Sequence, residues 1–379
     1  MIKVLFQLNQ LGYGGTEKAI LTFISNLDRT LFEPSVFFNT TVNTLEHHKI
    51  RVLSYLSKRY RRKFDEKYVY GLARLEDFSK AVDGRLYCGN GLKGLLQTQR
   101  RLGTNIIHFT RGLPDDFYTE DVAKLSRHSR LVEYNIFGTK PQLSYLKHLD
   151  YMLFVSDWCI SRSKWAVEGK SSVLYFPTQE FKVSTKSNEC LRRRLGISDE
   201  SIVLGRLSRP NLDDGSFVLS VLLEVFKTYP DAHFVCLGAS PAFVSATKEL
   251  NNIHCLSPTT DEEHLNAFLD SLDVLLHYRI EGETFGLNIA EAMSRGVPVV
   301  THRSSLDNAQ IELLSRFRPS GLVSDSLDVD DYSLAVTRLI ADEDLRRAFG
   351  INGRITAREN FSPVQLTREL ESIYLRILQ

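Results

Sequence analysis

The chain has 379 residues, 43% of them apolar and 25% charged, with a formal net charge of +1. That length exceeds what one hydrophobic core usually holds, so two domains are expected, and the near-neutral balance removes any global electrostatic case for nucleic acid as a partner. The five cysteines (Cys88, Cys159, Cys190, Cys236 and Cys255) lie far apart with no C-x-x-C pair, which argues against a zinc site or a disulfide framework and for a reducing, cytosolic compartment.

In chain order, the opening MIKVLFQLNQLGYGG reads as a strand entering a glycine turn. Its apolar part is too short for a signal peptide, and nowhere does a run approach the roughly 18 apolar residues that span a bilayer. Gly12, Gly14 and Gly15 follow the strand, and Thr16 is placed to cap a helix with Ile20, Leu21, Ile24 and Leu27 on one face. Glycine lets backbone approach a ligand closely. The plain alternative is a tight strand-to-helix turn, since the loop has neither the G-K-[ST] ending of a Walker loop nor G-x-G-x-x-G spacing. Further on, KRYRRKF at 58–64 mixes Lys58, Arg59, Arg61, Arg62 and Lys63 with Tyr60 and Phe64, just after Tyr55 and Leu56. Such a run is either a solvated helix face or a surface for an anionic membrane.

Apolar runs NIIHF, RLVEYNIF, YMLFVS and SVLYF then alternate with helical patterns, the signature of parallel sheets covered by helices. His108, in the first of these runs, is a candidate to reach a ligand cleft, against the plain reading of a structural histidine. The polar, aperiodic PTQEFKVSTKSNE marks a linker, and after residue 190 the same rhythm restarts with SIVLGRL, SFVLSVLLEVFKTY, HFVCLGA and NIHCLS. The expected division is 1–176, a linker at 177–190, 191–358, and a C-terminal helix over 359–379 with Leu366, Leu370, Ile373 and Ile377 at helical spacing.

In this second half VLGRLSRP carries Arg206 and Arg209 just past a strand, where a guanidinium is able to pair with a diphosphate, or else is a surface arginine. EGETFGLNIAEAM at 281–293 places Glu283 and Glu291 on either side of a Phe-Gly turn that opens a helix, which Gly296 closes before a proline and a strand. A helix start with N–H groups at Gly286, Leu287 and Asn288 suits an anionic group, and Glu291 suits a ribose diol; the plain reading is that acids favour the early part of a helix dipole. Asn308 and Gln310 follow the next strand and are placed to hydrogen-bond a ligand or to start a helix.

With these motifs in hand, the chain resembles a retaining glycosyltransferase of the GT-B fold, family 4. GGTE at 14–17 is similar to that family's N-terminal glycine loop, GRLSRP to its arginine loop, and ETFGLNIAEAMSRGVPVV to its E-x7-E signature. The resemblance implies an α/β architecture of two Rossmann-like domains facing across a cleft, with the C-terminal helix crossing back to the N-terminal one. It further implies transfer of a hexosyl unit from a nucleotide diphosphate sugar to a glycan or lipid-linked acceptor, with no metal and no cofactor. Glu283 would contact the donor sugar with His108 as a second catalytic candidate; Gly14, Gly15, Arg206, Arg209, Gly286, Leu287, Asn288 and Glu291 would bind the donor. Two departures stand out. The family's lysine after the arginine loop is replaced by Asp213 or Asp214, with Arg209 as a substitute, and Phe137 precedes Gly138 where a histidine is usual.

The expected setting is the cytoplasm, in surface polysaccharide or glycoconjugate assembly, with residues 55–64 as a peripheral membrane contact and no nucleic-acid partner. A non-catalytic nucleotide-sugar or glycan-binding protein of the same fold is the competing expectation. A nicotinamide enzyme is disfavoured, because no G-x-G-x-x-G follows either leading strand.

Overall fold

A computed structural model describes residues 1–39, 71–89, 91–111, 119–141, 143–178, 191–209 and 215–379. The basic patch at 55–64, Cys190, Asp213, Asp214 and most of the expected linker lie outside the described residues. Two compact units emerge. Met1–Pro177 with Pro363–Gln379 form the first, and Thr178–Ser362 the second.

The first unit is a parallel sheet of β1 (Ile2–Leu8), β2 (Phe32–Asn39), β3 (Leu86–Gly89), β4 (Ile106–Arg111), β5 (Arg130–Asn135), β6 (Tyr151–Phe154) and β7 (Ser171–Val173), in the order β3-β2-β1-β4-β5-β6-β7. Strand order reverses between β1 and β4, which are held side by side in the register Val4↔Ile106. The central strands are continuous apolar runs because both faces of a parallel sheet are covered. Val4, Leu5 and Phe6 are sealed, and the helix Gly15–Asn26 buries Ala19, Ile20, Phe23 and Ile24. The C-terminal helix Pro363–Leu378 packs against Gly15–Asn26. Its buried stripe is Leu366, Leu370, Ile373 and Tyr374, while Ile377 is only half-buried.

The second unit repeats the plan with β8 (Val203–Leu207), β9 (His233–Leu237), β10 (Ile253–Leu256), β11 (Val274–Leu276), β12 (Val299–His302) and β13 (Gly321–Ser324), again all parallel, ordered β10-β9-β8-β11-β12-β13. Its switch in strand order lies between β8 and β11. The helices Gly215–Thr228 and Val329–Ala341 bury Val221, Leu222, Val336 and Leu339 against Leu204, Phe234, Val274 and Val300 of the sheet. The helix Leu287–Arg295 is clamped by Glu343–Asn360 at close range: a Cβ on Gly350 would sit 2.4 Å from the Gly296 carbonyl oxygen. In an open α/β sheet a ligand binds outside the carboxyl ends of the strands at the switch point. In the second unit that point is where the chain leaves β8 at Arg206 to Arg209 and β11 at His277 to Glu283.

Candidate active site

Arg206 sits near the end of β8, 5% exposed, with Nη2 donating to the Tyr278 carbonyl oxygen at 3.2 Å and the guanidinium 5.9 Å from the Tyr278 ring centre. Tyr278 stacks in turn on Phe217, with ring centres 4.3 Å apart and planes 15° from parallel. The end of β8 is thereby locked to the residues leaving β11.

After β11 the chain runs His277-Tyr278-Arg279 and then turns at Gly282. The turn requires glycine: φ is +72°, and a Cβ would lie 1.7 Å from the Asp307 carbonyl oxygen. That close passage brings the loop against the chain leaving β12, with Asp307 N donating to Glu281 O at 2.9 Å and Ala309 N to Glu283 O at 3.0 Å. Gln310 completes the brace. Its Oε1 accepts from Glu283 N at 2.9 Å while Nε2 donates to His302 O at 3.1 Å and Asp307 O at 3.2 Å. Asn308 folds back on its own loop, accepting from Ser304 N and donating to Ser304 O, both at 2.8 Å.

The loop carries Glu283 into a cationic setting. His277 Nε2 is 3.4 Å and Arg279 Nη1 3.7 Å from Glu283 Oε1, and the carboxyl side chain keeps 20% of its surface exposed. Burial pushes the Glu283 carboxyl up, but the His277 hydrogen bond and the charges of Arg279 and Arg209 hold the group below its ordinary value. Glu283 is therefore an ionised acceptor at neutral pH. At the end of β12, burial lowers the pKa of His302; its Nδ1 faces Arg303 O at 3.0 Å, and its Nε2 faces Arg279 N at 3.3 Å. The backbone contacts assign its proton to Nδ1, because a carbonyl only accepts and an amide only donates.

Four residues beyond Glu283 begins the helix Leu287–Arg295, capped by Gly286 in the left-handed region (φ 94°, ψ 63°) and ended by Gly296 at φ 76°. Gly286 supplies no side-chain cap, and the first turn holds no acid, so its positive end is not neutralised from within. Asn288 Oδ1 accepts from Ile289 N at 3.0 Å. Glu291 lies one turn inside, 7% exposed.

Residues 217–356 match the family model described as glycosyl transferases group 1. This span is a glycosyl transferases group 1 domain. The domain contains His277, Glu283, Glu291, Thr301 and Gln310, with Arg206 and Arg209 just ahead of it. Over 194 residues the chain is 25% identical to the N-acetyl-alpha-D-glucosaminyl L-malate synthase of Bacillus anthracis, covering 50% of this chain and 49% of that one. It is 26% identical over 229 residues to the GDP-mannose-dependent alpha-(1-6)-phosphatidylinositol monomannoside mannosyltransferase of Mycolicibacterium smegmatis, covering 56% and 58%. The matches thus span about half the length of these curated relatives. The structure of a Rickettsia africae glycosyltransferase superposes with a TM-score of 0.72 at 14% identity, covering 100% of this chain and 99% of that one, and shares the fold. Two parallel, helix-covered sheets in this likeness are the GT-B class of architecture.

Of the residues expected from sequence, Arg206 and Arg209 stand at and just after the end of β8, Glu283 in the loop after β11, Gly286 at the cap of the helix Leu287–Arg295, and Leu287, Asn288 and Glu291 within that helix. Gly14 and Gly15 start the helix Gly15–Asn26 of the first unit, beyond the carboxyl end of β1, where a Cβ on Gly14 would meet the Glu17 carboxylate at 2.0 Å. His108 is corrected. It lies inside β4, wholly buried, stacked on Phe6 with ring centres 5.1 Å apart and with Nδ1 2.6 Å from the Tyr374 hydroxyl, so it reaches no ligand. Burial lowers its pKa to about 3, and it is a neutral core residue. Of the two readings for Asn308 and Gln310 the helix start holds, with Asn308 at the cap of the helix Ala309–Ser315; the Gln310 amide braces the Glu283 loop and the Asn308 amide is taken by Ser304 of its own loop. Sequence reasoning missed His277, Arg279 and Thr301, whose signal was their place at the ends of adjacent strands.

Proposed function

We propose that the chain is a retaining, hexosyl-transferring glycosyltransferase that moves a sugar from a nucleotide diphosphate sugar to a glycan or lipid-linked acceptor. The observation that carries this reading is the ionised Glu283 set among Arg209, Arg279 and His277 at the switch point of the second unit. The GDP-mannose dependence in the name of one relative supports a nucleotide-sugar donor, and its phosphatidylinositol substrate supports a lipid-linked acceptor.

Glu283 accepts hydrogen bonds from the donor sugar, and Glu291 from the ribose diol. Cleavage of the anomeric bond places negative charge on the leaving diphosphate; Arg206, Arg209 and the start of the helix Leu287–Arg295 stabilise it. The acceptor attacks the face that the leaving group departs, and the diphosphate oxygen takes the acceptor proton. No metal or cofactor enters this scheme. The setting is surface polysaccharide or glycoconjugate assembly in the cytoplasm, with residues 55–64 touching anionic membrane.

A panel of UDP-, GDP- and ADP-sugars tested against wild type and Glu291→Ala by thermal stabilisation and nucleoside diphosphate release decides the matter. Stabilisation by one donor, lost in the variant and accompanied by release, supports a transferase. The burial of His108 favours a second reading, a nucleotide-sugar-binding protein without turnover, which predicts stabilisation with no release under any acceptor. Absence of any stabilisation refutes both.

A further inference from the structure

The reading above uses His277 only as part of the surroundings of Glu283 and gives Thr301 no task, although both are buried. They are neighbours through sheet register. β11 and β12 run parallel with Leu276 opposite Val300, and His277 N donates to Val300 O at 2.8 Å, so the next residue on each strand, His277 and Thr301, stand side by side. His277 Nδ1 is 2.9 Å from Thr301 Oγ1, and its Nε2 is 3.4 Å from Glu283 Oε1.

The protons follow from what each partner is able to do. An ionised carboxylate only accepts, so Nε2 carries the hydrogen. With a single ring hydrogen on Nε2, Nδ1 accepts and the Thr301 hydroxyl donates there. The backbone on either side of the pair is fixed as well. The Tyr332 hydroxyl donates to His277 O at 2.9 Å, and Gln310 and Ala309 hold the two backbone groups of Glu283. The charged and titratable groups around the ring are Glu283 and Arg279 on its own loop, Arg209 after β8, His302 on β12, and Tyr332 on the helix Val329–Ala341.

We propose that Thr301 and His277 form a relay that aims the Glu283 carboxylate, engaging Oε1 from the protein side and leaving its outward lone pairs for sugar hydroxyls. His277 is on this account a positioning residue that discriminates a nucleotide sugar from a bare nucleotide. The proposal deepens the donor-site reading and rests on it for its ligand, but the state of the ring is a property of the free protein.

The experiment has two arms. In the first, wild type labelled with 15N-histidine is examined by NMR at pH 7.5, with the His277 signals identified by their loss in His277→Gln. The expected state is the neutral ring with hydrogen on Nε2, shifting to a mixture of tautomers in Thr301→Val. A doubly protonated ring, a hydrogen on Nδ1, or no response to Thr301→Val overturns the relay. In the second arm UDP-glucose or GDP-mannose, whichever the panel selects, is titrated beside its nucleoside diphosphate. His277→Ala is expected to weaken the nucleotide sugar about tenfold, roughly the worth of one hydrogen bond, with the nucleoside diphosphate within about twofold of wild type. His277→Gln, which offers an N–H near the Nε2 position, restores most of the loss. Equal weakening of both ligands, or no rescue, overturns the positioning role. If wild type binds no nucleotide sugar at all, the donor reading fails, and the tautomer arm still decides the relay.

Discussion

Gln310→Ala tests how the Glu283 loop is held. The wild-type side chain is fully buried, its oxygen is taken by Glu283 N at 2.9 Å, and its two hydrogens are directed among His302 O, Asp307 O and Asn308 Oδ1 at 3.1 to 3.3 Å. Truncation removes the partners of the part-buried Glu283 N–H and the buried His302 carbonyl. Each such group costs about 1–3 kcal/mol, so a loss of about 3 kcal/mol is expected. For a unit of the size of Thr178–Ser362 this lowers the melting temperature by roughly 6–12 °C, at roughly 2–4 °C per kcal/mol. Differential scanning calorimetry reads that shift, and isothermal titration reads the accompanying loss of nucleotide-sugar affinity, while the nucleoside diphosphate binds as before. Gln310→Glu separates the two halves of the brace: it keeps the acceptor for Glu283 N but has no donor for the His302 and Asp307 carbonyls at neutral pH. A Gln310→Ala protein that melts within about 1 °C of wild type and binds the nucleotide sugar unchanged refutes the reasoning.

Gly282→Ala forces a side chain onto a left-handed residue 1.7 Å from the Asp307 carbonyl oxygen, and a loss of at least about 2 kcal/mol in urea unfolding is expected. His108, with its pKa lowered to about 3, binds no proton in the fold at pH values where the unfolded chain does. Its contribution is intact above about pH 6.5 and is lost as pH falls toward 3, by up to about 1.4 kcal/mol per pH unit. His108→Gln flattens the stability profile over that window and leaves donor affinity unchanged, as measured by urea titrations at a series of pH values. Arg209→Ala removes a cation that helps hold Glu283 ionised and faces the proposed diphosphate; nucleoside diphosphate affinity is expected to fall about 10- to 100-fold, the worth of a charge-assisted hydrogen bond. Unchanged affinity would assign the diphosphate to Arg206 and the helix start alone.

The helix that bears Glu291 was legible because everything that defines it is local: a glycine before it, a glycine after it, a proline and a β-branched run beyond. The two parallel sheets were legible for a similar reason, since buried parallel strands leave short apolar runs that any window detects. His108 was misread by three residues of strand. β4 continues through Arg111, so His108 belongs to the strand interior, where its side chain meets Tyr374 of a helix 266 positions away instead of solvent at the strand end. No spacing rule reveals that contact, because it depends on which face of the sheet the last helix covers.

The same physics explains why the group 1 domain concentrates charge at one edge. A parallel sheet delivers every strand end to the same side, so residues that are 24 positions apart in sequence, such as His277 and Thr301, become hydrogen-bond neighbours once Leu276 pairs with Val300. The order β9-β8-β11-β12 then sets Arg206 and Arg209 on one side of the gap in connections and His277, Arg279 and Glu283 on the other. Taken singly, Arg206 is a buried arginine bonded to a backbone carbonyl and His277 is a core histidine. The joint consequence of the set is a carboxylate kept ionised despite burial, in a region otherwise rich in cations, and an anionic ligand entering there meets attraction from the arginines while its neutral hydroxyls meet Glu283. A diphosphate joined to a polyol has that distribution of charge. A free phosphate supplies only its first half, which is why the comparison of nucleotide sugar with bare nucleotide tests the arrangement more sharply than binding alone.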